Sequence, residues 1–239
     1  VFVARTGKRI PAAARRDKIV EVTLRLVADE GIEGATTARI AAASGVSEGT
    51  LYRLFGSKRG ILLAAVDAVH DNFLRLMETS RRGDPITSLQ ELGRLHTESM
   101  VGSGVDHFIA PLFAFMTAPV SMGLREAVAR RQQEIIDLYS QMLEQARAAG
   151  EIPEGADVRQ TAWTFAAIFW AEDLSALLGL PGFVLEGRAK KALDATLRCF
   201  VRCGGCPETA ENLPMTLSTA SVPRTRPPGS DTTGRATGG

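Results

Sequence analysis

A glycine between two short amphipathic stretches constrains this chain more than any other feature. Residues 36–59 read Thr-Thr-Ala-Arg-Ile-Ala-Ala-Ala-Ser-Gly-Val-Ser-Glu-Gly-Thr-Leu-Tyr-Arg-Leu-Phe-Gly-Ser-Lys-Arg. The spacing predicts two short helices joined by a tight turn, with a further helix starting at once. Thr36 or Thr37 offers a capping hydroxyl, and Ile40 with Ala41 forms a small apolar face. Gly45 follows the last periodic residue, where a sharp exit needs the left-handed backbone that glycine tolerates. Val46 plugs the corner. Ser47 caps the second helix and Glu48 stands in its first turn, beside the positive end of the helix dipole. Leu51, Leu54 and Phe55 bury one side, leaving Thr50, Tyr52 and Arg53 outward. A helix held this way is how a helix-turn-helix offers a recognition helix to the DNA major groove. DNA binding is the function the pattern predicts.

Charge supports that expectation once it is divided along the chain. Lys and Arg number 11 against 6 Asp and Glu through residue 60, 14 against 18 over 61–206, and 3 against 3 from 207 onward. The positive excess therefore sits with the helix-turn-helix, as a footprint for phosphate should. The acidic remainder excludes a protein that coats nucleic acid over its whole surface. No run approaches the roughly 18 apolar residues of a membrane span, and the opening Val1–Arg9 stretch is too short in apolar residues for a secretion signal. Three cysteines, all within 199–206, do not make a disulfide framework. A cytoplasmic protein with no membrane partner and no cofactor is expected.

The rest of the chain reads as helix. Residues 1–14 form an expected flexible basic arm with Arg5, Lys8 and Arg9, whose alternatives are reaching the minor groove or making no DNA contact. A first helix over 15–30 places Ile19, Val22, Thr23, Leu26 and Val27 on one face and stops at Gly31. A longer helix capped by Ser57 runs to Arg81. Further helices are predicted over 86–102, 106–117, 121–149, 157–179 and 186–203, punctuated by Gly102, Gly104, Pro119, Gly150, Pro153, Pro181 and Gly182. With no alternating strand run, the fold class is all-α. Residues 207–239 hold five prolines, four glycines and ten serines or threonines, too few apolar groups to offset the entropy of ordering; a disordered tail is expected.

The helix before the motif, Thr36-Thr37, Ile40-Ala41, Gly45-Val46-Ser47, Gly49-Thr50-Leu51-Tyr52, Phe55, Ser57-Lys58 and Ile61-Leu62 together resemble the TetR family of bacterial transcriptional regulators. The motif match covers about residues 15–66. The resemblance implies a homodimer, usually a repressor, with a small N-terminal DNA-binding domain (15–60) and a larger helical domain (61–206) that dimerises and holds an effector. It assigns phosphate contacts to Tyr52 and Lys58, and Thr37, Arg39 and Ser47 join the predicted DNA-binding set. Base-edge candidates are the exposed Glu48, Gly49, Thr50 and Arg53. Only Arg53 among these four makes a bidentate contact to guanine. Leu54 departs from the family, which often carries Tyr or His there.

Dimerisation is expected on the last two long helices, through Ala167, Trp170, Leu174, Leu193, Leu197 and Phe200; packing within one subunit explains the same stripes. Paired subunits would read a palindromic operator on double-stranded DNA. A small apolar effector is expected among the middle helices, with His96, Met100, His107, Phe108, Phe115, Met116, Met142 and Trp163 as candidate lining; an ordinary core is the alternative for each. Ligand binding would favour a conformation whose recognition helices no longer match the groove spacing, with the helix from Ser57 as lever. Two other functions have local patterns in their favour. Gly45-Val46-Ser47-Glu48-Gly49 matches the serine-hydrolase elbow, which requires a preceding strand. Cys199, Cys203 and Cys206 suggest a thiol or metal sensor, although structural zinc takes four ligands and no histidine lies near.

Overall fold

A computed structural model describes residues 11–101 and 104–203. Arg5, Lys8 and Arg9 of the expected arm, Cys206 and the expected tail lie outside these residues. Among the described residues there are ten α-helices and no strand.

Each end of the N-terminal helices has a local cause. α1 spans Ala12–Gly34, so helix begins inside the segment expected to be an arm, directly after Pro11. Gly31, read from sequence as the terminus, instead kinks the helix at φ 71°, ψ −179°. α2 (Thr37–Ser44) is capped by the Thr36 side chain, which accepts from Arg39 N. Gly45 then turns at φ 71°, ψ 34° and returns its N–H to Ala41 and Ala42 carbonyls. α3 (Glu48–Phe55) starts on Ser47, whose Oγ accepts from Thr50 N at 3.3 Å. α4 (Lys58–Thr79) starts on Ser57, whose Oγ accepts from Gly60 N at 3.0 Å. These three caps satisfy N–H groups that the first turns leave without helical partners.

The remaining elements are α5 (Pro85–Val101), a π-helical turn (Val105–Ile109) leading into α6 (Ala110–Met116), a 3₁₀ turn (Val120–Met122), α7 (Leu124–Ala148), α8 (Val158–Leu177), the short α9 (Pro181–Val184) and α10 (Arg188–Cys203). The segment expected as one helix over 106–117 is thus π-helical at its start. Pro111, which has no N–H to continue an ordinary ladder, sits at that junction. α9 falls where the sequence suggested only a loop.

Two large apolar cores and one small one hold these helices. The first joins Ile19, Val27, Ile40, Leu51, Ile61 and Leu62 of α1–α4 to Leu112, Phe115, Leu124 and Val128 of α6 and α7. The second is built by Leu89, Ile135, Tyr139, Leu143, Phe165, Phe169, Leu193, Leu197 and Phe200. The third is Met100, Ile109 and Val184. Each fully buried Leu or Phe contributes about 1.5–3 kcal/mol from area alone. α4 runs unbroken past residue 60, and Arg59 Nε at its start donates to Met122 O, 2.7 Å away, just before α7. The N-terminal helices are therefore packed on the body as well as linked to it.

Candidate nucleic-acid interface and adjoining cavity

α3 is buried along Leu51 and held from beneath by α1. Arg16 Nη1 donates to Leu54 O at 3.0 Å while its guanidinium lies 4.3 Å from the Phe55 ring centroid. Leu54, the departure from the family pattern, is half-buried against the first core. The opposite face of α3 and its approach expose Ser47, Glu48, Gly49, Tyr52 and Arg53, with Thr50 half-exposed. Tyr52 is 48% exposed, and its hydroxyl lies 3.5 Å from Thr37 Oγ1 on α2. Arg39 is exposed but forms an ion pair with Glu30, which offsets its charge locally. Lys58 is half-buried and gives one donor to Ile32 O at 2.8 Å. Arg15 and Lys18 of α1 flank the groove beside Gly45, Val46 and Thr50. The apolar stripe of that helix is the stronger sequence signal, and its basic residues Arg15, Arg16 and Lys18 are the signal that places it beside the interface.

The helix-turn-helix geometry also removes the hydrolase alternative. Ser47 follows helix α2 and the Gly45 turn, not a strand, and its Oγ is occupied in capping α3 and in a 3.1 Å contact with Thr50 Oγ1. The thiol-sensor alternative gains nothing either: Cys199 is half-buried and Cys203 exposed on α10, and no group of three metal-ligating side chains occurs among the described residues.

Where the three cores meet, a cavity of about 70 Å³ opens. Its apolar wall takes Val66, Leu112 and Val128 from the first core, Ile135, Tyr139 and Phe169 from the second, and Met100 and Ile109 from the third. At roughly 10–15 Å³ per water on this measure, there is room for several waters; a much larger ligand requires the walls to part.

The expected lining is corrected in part. His96, Met100 and Phe108 do line this cavity. Phe115 does not, because it is fully buried in the first core beneath α1 and α4. Met116 and Trp163 point to the surface. Met142 borders a separate groove by α4 and α5, and His107 is exposed beside α1. The sequence missed His70, Phe73, Tyr139, Phe169, Trp170 and Asp173 as cavity residues.

The polar wall is ordered around His96, only 4% exposed. Its Nδ1 lies 2.9 Å from Glu172 Oε2 and its Nε2 lies 3.2 Å from Asp173 Oδ1, while Thr97 Oγ1 donates to Glu172 Oε1 at 2.7 Å. Burial opposes charge on the imidazole, but Asp173 and Glu172 outweigh it and lift its pKa to about 9. His70 is lowered instead, by burial first and by Arg131 second. Burial, with Asp173 adding to it, raises the Tyr139 hydroxyl well above its usual value.

On the outer side of α8, Trp163, Ala167, Trp170 and Leu174 form an exposed stripe at helical spacing. The two indoles meet edge-to-face with centroids 6.1 Å apart, and Trp170 Nε1 donates to Gln132 Oε1 at 2.9 Å. Leu193, Leu197 and Phe200, also expected at a dimer surface, are each 1% exposed and belong to the second core. Their stripe was read correctly as apolar and assigned to the wrong neighbour.

Residues 19–65 match the domain described as bacterial regulatory proteins, tetR family. The chain is 23% identical over 142 residues to the fatty acid metabolism regulator protein of Bacillus subtilis, covering 59% of this chain and 73% of that one. It is 33% identical over 84 residues to the nucleoid occlusion factor SlmA of Haemophilus ducreyi, covering 35% of this chain and 42% of that one. In fold it is similar to a TetR-family transcriptional regulator from Rhodococcus sp., with a TM-score of 0.67 at 23% identity over 77% of this chain and 98% of that one. The helix-turn-helix, its supporting first helix and the all-helical body agree with these likenesses: residues 19–65 form a DNA-binding domain of the tetR family of bacterial regulatory proteins, and the chain shares the fold of TetR-family regulators.

Proposed function

We propose that this chain acts in the cytoplasm as a homodimeric repressor that binds a near-palindromic operator and is released by a small-molecule effector. The observation that carries the reading is the outward face of α3, where Tyr52 and Arg53 stand exposed on a helix capped and buttressed from behind. The exposed α8 stripe supplies an apolar surface for a second copy. The cavity supplies a place for the effector, walled by α4, the helix that also carries α3. A fatty-acid regulator and a nucleoid occlusion factor among the relatives are both consistent with a DNA-reading head on a variable body.

The test is equilibrium binding of the full chain to DNA from upstream of its own gene and neighbouring genes, against scrambled fragments, at several salt concentrations. A specific site retains a preference as salt rises, while the logarithm of the binding constant falls by about 0.9 per phosphate neutralised for each tenfold rise in salt. Equal affinity for every fragment at every salt concentration would overturn the reading.

A further inference from the structure

We propose that the cavity binds a small organic cation, an ammonium on an aromatic or alkyl body, with Asp173 as counter-ion and Phe73, Tyr139, Phe169 and Trp170 as surrounding rings. The inference rests on the regulator reading above and names the effector class for it.

The charge balance points to a cation. The Asp173 side chain is 9% exposed and lines the cavity, yet its Oδ1 has no hydrogen bond among the described residues. Its approach to His96 Nε2, at 3.2 Å, is an ion-pair contact without hydrogen-bond alignment. Glu172 is better served, by His96 Nδ1 and by Thr97. One imidazolium against two buried carboxylates leaves one negative charge over, and it falls on the carboxylate facing the cavity. Arg131, the other cation on the wall, does not neutralise it. Its Nε and Nη2 both donate to Asp67 Oδ1, at 3.0 and 2.7 Å, and its Nη1 donates to Glu134 at 2.8 Å.

A second orphan atom has the same polarity. His70 Nδ1 is buried without a hydrogen-bond partner among the described residues, while Nε2 lies 3.3 Å from Glu134 Oε2. With its proton on Nε2, the nitrogen nearer Glu134, the neutral ring would present Nδ1 as an acceptor. In that tautomer a donating ligand serves both atoms, and Asp173, whose contact with His96 is electrostatic, gains the hydrogen bond its Oδ1 lacks. A carboxylate head group would meet Asp173 with no spare cation to receive it.

The rings complete the argument. Phe73 meets Tyr139 and Phe169 edge-on, with centroids 6.3 and 6.1 Å apart, and Tyr139 stacks on Phe169 at 5.9 Å. Trp170 forms another part of the same wall. Aromatic faces attract a desolvated cation, and a ring cluster beside a carboxylate is the chemistry that recognises ammonium groups.

The experiment titrates the full chain with phenethylammonium, 2-phenylethanol and 3-phenylpropionate, near-isosteres that are cationic, neutral and anionic. Tryptophan fluorescence and the thermal midpoint are the readouts. Phenethylammonium is expected to bind at least about tenfold more tightly than the alcohol, as a charge-assisted contact implies, and the propionate not at all. Asp173→Asn should remove that advantage while leaving alcohol binding unchanged. Phe73→Leu, which keeps the charges, should weaken the cation more than the alcohol and decides the matter if the first variant does not fold. Equal or tighter binding of alcohol or propionate, no response to any probe, or cation affinity indifferent to both substitutions overturns the proposal. DNA binding measured on the same samples keeps the two readings apart. Selective DNA binding with no cation response leaves the regulator and removes the effector class; cation binding without DNA selectivity does the reverse.

Discussion

Tyr52 and Arg53 leave α3 on the same exposed side, but they should do different work on a duplex. Arg53→Ala is expected to relax sequence preference at one base pair by about 1–3 kcal/mol. Tyr52→Ala should weaken all sequences alike and flatten the salt dependence; competition binding against operator variants at several salt concentrations separates the two. In the body, His96 makes stability depend on pH. Its pKa is 6.5 when unperturbed and about 9 when folded, where Asp173 and Glu172 outweigh the cost of burial. Charge on the imidazole therefore stabilises the fold in full below pH 6.5 and ceases to do so as pH rises through about 9. The thermal midpoint should fall across that window, and His96→Gln should flatten the decline. Single residues differ in how far sequence reveals them. Gly45 and Ser47 act on neighbours three or four positions away, so their roles were legible. His96 and Glu172 meet across 76 positions, and nothing local announces that pairing.

Helices inherit this contrast. Their ends follow caps and breakers that sequence displays, and Ser47→Ala should cost about 0.5–2 kcal/mol in urea unfolding through loss of the α3 cap. Helix faces are harder to assign. α8 buries Phe165, Ala166 and Phe169 yet exposes Trp163, Ala167, Trp170 and Leu174, so apolar residues on both sides left its orientation open. α10 is apolar on one side, and that side packs inward: Gly93 of α5 lies so close that a Cβ there would sit 2.2 Å from Leu193 Cδ2. Leu193→Ala should consequently lower unfolding free energy by about 2–5 kcal/mol, a loss of stability in the monomer as well as in any dimer. The π-helical turn and α9 had no periodic signal long enough to read.

The molecule as a whole was legible as an all-helical body with a basic reading unit, because the periodicity is helical throughout and the charge changes sign along the chain. The helix from Ser57 that links the two was legible as well; the packing across that link was not, since it is made by side chains from distant segments. An exposed aromatic stripe on α8 predicts that Leu174→Glu shifts the protein toward monomer in sedimentation velocity and weakens operator binding, with circular dichroism unchanged. Phe115 has a practical bearing on protein engineering. It is fully buried beneath the N-terminal helices although it belongs to α6. A hybrid regulator made by cutting after Thr79 would lose that plug and the Met122 carbonyl that anchors Arg59. Transplanting this protein's operator specificity onto a foreign sensor therefore calls for a discontinuous graft, with the α6 segment carried across as well.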